Sequence, residues 1–478
     1  MKLIARQSEI SSLKEFYKSE KPEFVALYGR RRVGKTYLVE RLFEKEFAFS
    51  VTGIIEGSRE EEEEVFLNAL RRIGYKGKPF KTWIEGFNIL KALLQKRIRK
   101  GKRCIVFIDE LPCFDTLRAG FVKAFGDFWN DWGCKHDEVM LIVCGSATTW
   151  MIKNIIDSHG GLHNRITHEM HIHPFNLAET EEYLLSQGVD WDRLSIVQLY
   201  SVLGGIPYYL SLIRKDDSMA SAVDRLFYSE DAELKSEYSR LFKSLYKSPE
   251  PYIKIIEALC SQRSGLTREE ILENMGGGDN GHLSEYLENL EKCDFIRLYY
   301  VKDSTGRKLK KTGGIYQMMD FFTVFHNTFL SRPSTDPHYW SNHLGTPTVN
   351  TWFGLSFERI CMYHVPQIKR ELGIDRIGTE YFSWRSKEST PAVQIDLLIE
   401  REDRKVNICE VKYSETEYSL QKDEEAKIRN RIGTYKDESR TRYSLLPVLI
   451  TTYGLKEGKY SSLLKNVVTM DQLFVKDK

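Results

Sequence analysis

The segment GRRRVGKT near the start of the chain has the residue types of a phosphate-binding loop. It follows the apolar run FVALY, precedes the amphipathic run YLVERLFEKE, and matches the pattern G-x-x-x-x-G-K-[ST]. Glycines let successive backbone N–H groups point at phosphate oxygens, and the following helix N-terminus adds positive potential. We expect the lysine to reach the β and γ phosphates and the threonine hydroxyl to ligate Mg²⁺. The loop therefore predicts binding of ATP or ADP with Mg²⁺ by Gly29, Arg30, Arg31, Arg32, Val33, Gly34, Lys35 and Thr36.

Acidic residues follow a second apolar run, IVFI, at Asp109 and Glu110. ATP hydrolysis needs a carboxylate at a strand end close to the metal and a group that positions the attacking water. We expect Asp109 to hold Mg²⁺ through water and Glu110 to orient the attacking water. Ser146, at the end of the apolar run VMLIVCGSA, is the predicted polar sensor of the γ phosphate.

Two carboxylates and a lysine near the C-terminus form the pattern D-x13-E-x-K: Asp396, Glu410 and Lys412. In a strand, side chains at positions 410 and 412 point to the same face. A hairpin that begins with Asp396 would bring both carboxylates and the ammonium to one Mg²⁺ site. The metal would polarise a phosphate, while Lys412 would position or help deprotonate the attacking water. The pattern predicts phosphodiesterase chemistry.

The elements around these residues predict an α/β protein of several domains. Apolar runs alternate with helical patterns in the first part, which predicts a parallel sheet with its working residues at the strand C-termini. Residues 175–245 are helical and are expected to form a lid, so residues 1–245 are predicted to be a P-loop ATPase core with that lid. Residues 246–330 predict three helices and a hairpin wing, and residues 340–478 a separate α/β domain.

Five consecutive glutamates, 60–64, stand where a helix is expected to begin. Negative side chains are favourable near a helix N-terminus because of the macrodipole. We expect these glutamates to form a solvated helix start.

The composition does not decide which class of partner the chain binds, but it indicates the cellular compartment. The 70 lysines and arginines nearly cancel the 68 acidic residues, giving a net charge of +2. The chain shows no apolar stretch long enough to span a bilayer and no signal-peptide pattern at its start. Its eight cysteines are scattered, which favours reduced thiols. These features predict a cytoplasmic protein with no membrane partner.

A basic patch at the predicted wing points to nucleic acid. Two tyrosines, Tyr299 and Tyr300, precede the cluster of Lys302, Arg307, Lys308, Lys310 and Lys311. Such a hairpin could lie along DNA phosphates and make binding salt-dependent. The helix beginning near His282 is acidic, which disfavours base readout, so packing of this module against the nucleotide domain stays an alternative.

The motifs of residues 1–245, taken in order, resemble the archaeal-type ATPase family of the AAA+/STAND group of P-loop NTPases. They are RQSEISSL, GRRRVGKT, IDELPCF, CGSA, GGLHNRIT, HPF and GGIPYYL. The resemblance implies that Arg165 serves as an arginine finger or phosphate sensor, within one protomer or across a homo-oligomer, and that Pro207 contacts the nucleotide from the lid. It also implies that Arg6 and Glu9 lie near the base of the bound nucleotide. A second-sensor arginine is lacking, which favours slow hydrolysis and an ATP/ADP switch.

Residues 340–478 resemble the PD-(D/E)XK, or restriction-endonuclease-like, nuclease domain. Two apolar strands carrying Asp396 and the E-V-K sequence, with an upstream helix offering Glu358 in LSFERIC, carry this resemblance. It implies Glu358 as an additional metal ligand, and Gln394 lies close by in sequence. A nuclease-like domain that binds without cleaving is the alternative.

Together these features predict an ATP-dependent, DNA-associated protein. Nucleotide state would set the position of the winged helix and the nuclease-like domain, because a ligand shifts a conformational equilibrium only by differential affinity. The alternative is a non-catalytic STAND-type signalling switch whose C-terminal domain binds a protein or nucleic acid.

Overall fold

Two separate five-stranded sheets carry the residues singled out in the sequence. The computed structural model describes residues 3–117, 119–146, 148–157, 162, 164–246, 248–262, 265–277, 281–300, 314–332, 334–386 and 393–476. The chain divides into a first unit, Met1–Pro174 with Leu241–Ser248, and a second unit, Phe175–Arg240 with Pro249–Lys478. The predicted lid thus groups with the C-terminal part of the chain, and the three-domain division at 245 and 330 stays a prediction.

The sheet of the first unit is entirely parallel, which confirms the predicted fold class. Its order is β2-β3-β4-β1-β5. The central strands are buried along almost their whole length, as expected for apolar strands covered on both faces. The order places the C-terminal ends of β1, β3 and β4 at the same edge. The strands are β1 (Glu23–Tyr28), β2 (Phe47–Thr52), β3 (Cys104–Asp109), β4 (Val139–Gly145) and β5 (His168–His171).

In the described part of residues 3–174, six α-helices accompany this sheet. Aromatic side chains from several of them pack into one core with the sheet, Phe66, Trp83 and Phe121 among them. This core fixes the sheet on which the strand-end residues stand. The helices are α1 (Gln7–Lys18), α2 (Lys35–Phe43), α3 (Arg59–Arg72), α4 (Trp83–Gln95), α5 (Phe121–Asp127) and α6 (Thr148–Met151).

The glutamate run does begin a helix, α3, but it is not wholly solvated. Ser58 and Glu61 form a capping box at the helix start. Glu62 is fully buried, and its Oε1 accepts a hydrogen bond of 2.8 Å from the Ile54 N–H. Burial raises the pKa of Glu62 to about 7. The expectation of a solvated glutamate run is therefore wrong for Glu62, which turns toward the loop after β2.

The predicted lid is helical, as expected, and packs on the C-terminal part of the second unit. The Leu177 N–H donates to His364 Nε2 at 3.0 Å, and Gln198 Nε2 lies 2.9 Å from the Tyr413 hydroxyl. These contacts link residues far apart in sequence. The helices are α7 (Leu177–Ser186), α8 (Arg193–Leu203), α9 (Pro207–Leu210), α10 (Met219–Val223) and α11 (Glu237–Leu245), the last of which crosses the division between the units.

Three helices and a small antiparallel sheet follow, in the order expected for the predicted winged helix. Thr267 and Glu270 form the capping box predicted from TREE. The sheet order is β6-β8-β7. The basic tip residues Lys302, Arg307, Lys308, Lys310 and Lys311 lie outside the described residues. This 250–318 module comprises α12 (Glu250–Cys260), β6 (Leu266–Thr267), α13 (Arg268–Asn274), α14 (Leu283–Lys292), β7 (Ile296–Tyr300) and β8 (Gly314–Met318).

The C-terminal sheet has the order β13-β12-β11-β10-β9. Strand β10 is antiparallel to both β9 and β11, whereas β11, β12 and β13 run parallel to one another. Helix α15 (Phe321–Phe325) leads into this region. Its elements are α16 (Tyr339–His343), α17 (Pro347–Tyr363), α18 (Val365–Glu371), β9 (Thr379–Arg385), β10 (Gln394–Arg401), β11 (Lys405–Lys412), α19 (Lys422–Ser439), β12 (Ser444–Thr451), β13 (Asn466–Thr469) and α20 (Met470–Leu473). In the parts of the chain that the structure describes, none of the helices combines the length and apolar character needed to cross a membrane.

Candidate nucleotide site and candidate metal centre

The glycine-rich loop joins β1 to α2, and two of its glycines are required by the backbone. Gly29 has φ +141°, and a Cβ there would lie 2.4 Å from the Ile172 carbonyl oxygen. Gly34 has φ +90° and stands immediately before the first residue of α2. Residues with side chains rarely adopt such angles. The loop can therefore curl tightly around the N-terminus of α2, the predicted phosphate position.

Lys35 is buried inside the loop. Its ammonium donates to the carbonyl oxygens of Gly29 at 2.8 Å and Arg30 at 3.0 Å. A buried ammonium next to neutral carbonyls is a strong donor for an anionic oxygen, because charge-assisted hydrogen bonds are the stronger ones.

Thr36 and Asp109 meet at the sheet edge, as the predicted magnesium site requires. The Thr36 hydroxyl donates to Asp109 Oδ2 at 2.9 Å. Asp109 is only 3% exposed, and its Oδ1 has no hydrogen-bond partner among the described residues. Burial, and after it the charge of Glu110, raises the pKa of Asp109 to about 6. Because buried polar atoms are normally paired, this oxygen beside a hydroxyl fits Mg²⁺, a hard cation that prefers oxygen ligands.

Glu110 and Ser146 are bonded to each other, which the sequence did not indicate. Glu110 Oε2 accepts from the Ser146 N–H at 3.1 Å and from the Ser146 hydroxyl at 2.8 Å. Glu110 also adopts a left-handed backbone, φ 46°, that turns the chain sharply after β3. The predicted water-orienting residue and the predicted sensor thus hold one another at the ends of β3 and β4.

Arg6 donates hydrogen bonds to the backbone beside the phosphate loop, and the sequence did not indicate these contacts. Its Nη2 donates to the carbonyl oxygens of Val33 at 2.7 Å and His173 at 2.8 Å, and its Nη1 lies 3.1 Å from Glu9 Oε1. The side chain is buried. In the sequence, only the motif RQSEISSL pointed to this region, because its residues were expected near the base of the nucleotide. The guanidinium fixes the backbone of the phosphate loop, and its position near the nucleotide base stays a prediction.

Arg165 and Pro207 remain predictions. Arg165 is exposed, and its N–H donates to the Leu162 carbonyl oxygen at 3.1 Å, next to residues 158–161 and 163, which lie outside the described part of the chain. Pro207 is the first residue of α9, within the second unit.

In the C-terminal sheet, the hairpin of β10 and β11 brings together the predicted carboxylates. Leu397 pairs with Cys409, so Asp396 and Glu410 occupy the next opposed positions. Asp396 Oδ2 accepts a long hydrogen bond of 3.4 Å from the Val411 N–H. Burial, and after it the charge of Glu410, raises the pKa of Asp396 to about 7. Two carboxylates this close favour a shared proton or a cation.

Glu410 is already neutralised by two cations. It is 6% exposed; its Oε1 lies 2.9 Å from Lys412 Nζ, and its Oε2 forms an ion pair with Arg431 Nη1. Arg431 lies on α19, among many charged residues of that helix, and the sequence carries no signal that separates it from them. The expected metal ligand is thus held between Lys412 and Arg431.

Glu358, Gln394 and Asp396 line one cavity of about 270 Å³ in the second unit. Glu358 comes from α17, as predicted, and Asp396 from β10. Their carboxylate oxygens are ligands that suit Mg²⁺. Glu410 and Lys412 are not part of this lining, so the predicted ligands divide between the cavity and the adjoining ion-pair cluster.

Comparisons with known proteins agree with the nucleotide site. Residues 3–213 match the family model of an ATPase domain found predominantly in Archaea. The match covers 211 of the 478 residues and includes the loop, Thr36 and Asp109, so this part of the chain is similar to that ATPase domain.

An uncharacterized protein of Methanocaldococcus jannaschii, MJECL04, is 26% identical over 335 residues, 68% of each chain. Among solved structures, the Walker-type ATPase PABY2304 of Pyrococcus abyssi is 18% identical with a TM-score of 0.45, covering 68% of this chain and 96% of that chain. The Aeropyrum pernix ORC2 protein, in its ADPNP–ADP complexes, is 15% identical with a TM-score of 0.41, covering 68% and 93%.

Proposed function

We propose that the first unit binds ATP with Mg²⁺ and hydrolyses it slowly, and that nucleotide state controls a DNA-associated, Mg²⁺-dependent phosphodiesterase site in the second unit. The observation that carries the ATP part is the contact between Thr36 and Asp109 beside a buried, unpaired carboxylate oxygen. The hairpin that opposes Asp396 and Glu410 supports the second part.

At the nucleotide site, Lys35 would exchange the carbonyls of Gly29 and Arg30 for phosphate oxygens. Thr36 and Asp109 would hold Mg²⁺, which when bound neutralises charge on the phosphates. Both hydrogen bonds from Ser146 go to Glu110 Oε2, so Glu110 would orient a water for attack with Oε1. Ser146 would reach the γ phosphate only by giving up its bond to Glu110, and this competition supports slow turnover.

Coupling between nucleotide and C-terminal sheet would run through the lid helices. The predicted nucleotide contact, Pro207, begins α9, and the neighbouring helices α7 and α8 are bonded to His364 and Tyr413. Arg193 of α8 also lies 2.9 Å from Asp471. Any displacement of the lid by nucleotide would therefore carry the C-terminal sheet with it.

At the second site, Asp396, Glu410 and Glu358 would hold Mg²⁺, which supplies Lewis acidity to a bound phosphate. Lys412, an ammonium paired with Glu410, would place the attacking water and offset the charge that develops on the phosphate. Arg431 would have to leave Glu410, or share it, for this ligand set to form.

A second candidate function is a signalling switch whose C-terminal domain binds nucleic acid or protein without cleaving it. The observation that favours it is the double ion pair that occupies both oxygens of Glu410.

Asp396→Ala, assayed with Mg²⁺ and DNA, separates the two candidates. Lost cleavage with retained ATP turnover supports the phosphodiesterase. If the wild-type chain cleaves none of single-stranded DNA, duplex DNA and RNA, the switch is favoured.

A further inference from the structure

The cavity beside Asp396 has two different walls, both within the second unit. One wall is a single face of α17, with lining residues spaced three and four apart: Thr348, Thr351, Leu355, Glu358 and Met362. The other wall comes from the 250–318 module, where Gln262 follows α12 and Gln317 lies on β8. The proposed phosphodiesterase site is thus bounded by a module that lies outside the C-terminal sheet.

Specific contacts hold these walls together. Arg359 Nε donates to the Met318 carbonyl oxygen at 3.1 Å, joining α17 to β8. Arg297 of β7 donates to Gln317 Oε1 at 2.7 Å and reaches the Ser383 hydroxyl of β9 at 3.5 Å. Arg297 therefore fixes which end of the Gln317 amide is an acceptor and ties β8 to the C-terminal sheet. The cavity is a built feature of the fold.

The lining combines the chemistry that a nucleotide requires. Glu358 and Asp396 offer carboxylates for a cation that would neutralise a phosphate. Side-chain amides of Gln262, Gln317 and Gln394 can pair with base edges, and apolar side chains offer a stacking surface. Trp352 also lines the cavity and contributes to that surface.

The volume of the cavity limits the size of the ligand that can enter it. About 270 Å³ is close to the lower end, roughly 300 Å³, of pockets that hold small ligands. One nucleotide is of this size, whereas two paired strands are much larger. Enzymes that take a single base into a pocket act on single strands or on nucleotides extruded from a duplex.

We propose that this cavity receives one nucleotide of a single-stranded nucleic acid, with its phosphate at Glu358 and Asp396 and its base against Gln262 and Gln317. This rests on the proposed function for the metal-binding role of the carboxylates and adds the substrate class. The 250–318 module then serves as the wall that excludes the second strand.

The test measures binding by fluorescence anisotropy, with Ca²⁺ in place of Mg²⁺ to suppress cleavage. The probes are labelled hexathymidylate, a blunt-ended DNA duplex and, as competitor, thymidine monophosphate. We expect hexathymidylate to bind at least about tenfold more tightly than the duplex, a difference of about 1.4 kcal/mol. We also expect the mononucleotide to compete at least about tenfold more weakly than unlabelled hexathymidylate, since a strand has more contacts.

Two tryptophan variants make the test specific to the cavity. Thr351→Trp places a large ring in the lining and should weaken hexathymidylate binding at least about tenfold. Asn350→Trp, on the adjacent exposed position of α17 and outside the lining, should leave it unchanged. Urea midpoints equal to that of the wild-type chain in both variants would show that the second unit still folds.

Equal binding of duplex and single strand overturns the inference, as does unaltered binding by Thr351→Trp. Equal competition by thymidine monophosphate overturns it too, because the cavity would then be a free-nucleotide site. Failure of the proposed phosphodiesterase gives a different result: cavity-dependent binding of single strands persists, with no cleavage when Mg²⁺ is supplied.

Discussion

The two candidate metal sites of this chain differ in how the oxygens of their carboxylates are paired. In the first unit, Asp109 Oδ2 accepts from the neutral Thr36 hydroxyl, and its buried Oδ1 has no hydrogen-bond donor among the described residues. In the second, both oxygens of Glu410 are taken by the cations Lys412 and Arg431. A buried carboxylate without a cation of its own requires one from outside, whereas a doubly paired carboxylate must lose a partner first. We therefore propose that the first site takes Mg²⁺ without breaking an ion pair, whereas the second must break one.

The largest expected effect is on turnover at the first site. Glu110→Gln keeps the shape and the acceptor oxygen but removes the charge that would orient and polarise water. We expect ATP turnover to fall by about 100-fold or more, the usual range for losing a general base, while ATP affinity stays within about twofold. Steady-state phosphate release and calorimetric ATP titration measure the two quantities.

The matched control for Glu110→Gln is Glu64→Gln, an exposed glutamate on α3, which should turn over ATP normally. Unreduced turnover in Glu110→Gln would show that another group orients the water.

The next effect is on ATP affinity. Lys35→Ala removes the buried ammonium that would close on the phosphates, and we expect ATP to bind about 100-fold more weakly, since a charge-assisted contact of this kind is worth about 1.5–3 kcal/mol. Calorimetry with Mg²⁺ present measures it. Lys45→Ala, exposed just beyond α2, should bind like the wild-type chain, and an equal loss in both variants would refute a specific role for Lys35.

A third change tests whether the second site is closed by its own cations. Arg431→Ala leaves Glu410 with Lys412 alone, so we expect Mn²⁺ to bind the second site about tenfold more tightly. Electron paramagnetic resonance of free Mn²⁺ measures this in a chain whose first site is disabled by Asp109→Ala. Arg429→Ala, two residues away and paired with Glu425 on the exposed side of α19, is the control. Weaker or unchanged Mn²⁺ binding in Arg431→Ala would mean that Arg431 does not compete with the metal.

The smallest effect concerns pH and stability. The folded-state pKa of Asp396 is raised to about 7, above its ordinary value, so the folded chain keeps a proton that the unfolded chain releases. Stability from this group is therefore lost as pH rises from about 4 to about 7. Asp396→Asn removes this loss of folding stability. We therefore expect the variant to have a higher urea midpoint than the wild-type chain at pH 8, and the same midpoint below about pH 4. A lower midpoint for Asp396→Asn at pH 8 would contradict this sign.

Features that depend on neighbours in the chain were predictable from sequence, and features that depend on sheet order were not. The phosphate loop, the acidic end of β3 and the capping box at Thr267 each follow from a few consecutive residues. The bond between Glu110 and Ser146 requires β3 and β4 to be adjacent, which no local pattern reveals. The burial of Glu62 likewise depends on the loop after β2, reached only in the folded chain.

The grouping of the lid with the C-terminal sheet was not predictable for the same reason, because it depends on contacts between residues far apart in the chain. His364 and Tyr413 bond to helices that lie more than 180 residues earlier. Arg431 shows the limit most clearly, because a helix rich in charge gives no indication of which arginine faces Glu410. Helical periodicity could have identified the α17 face that lines the cavity, but not the opposite wall.

The most direct test of the difference between the two sites is a crystal structure grown with a non-hydrolysable ATP analogue and Mn²⁺. We expect nucleotide density in the glycine-rich loop and an anomalous Mn²⁺ peak beside Thr36 and Asp109, with Arg431 still on Glu410 and no peak there. Mn²⁺ beside Glu410 with the loop empty of nucleotide would contradict the account.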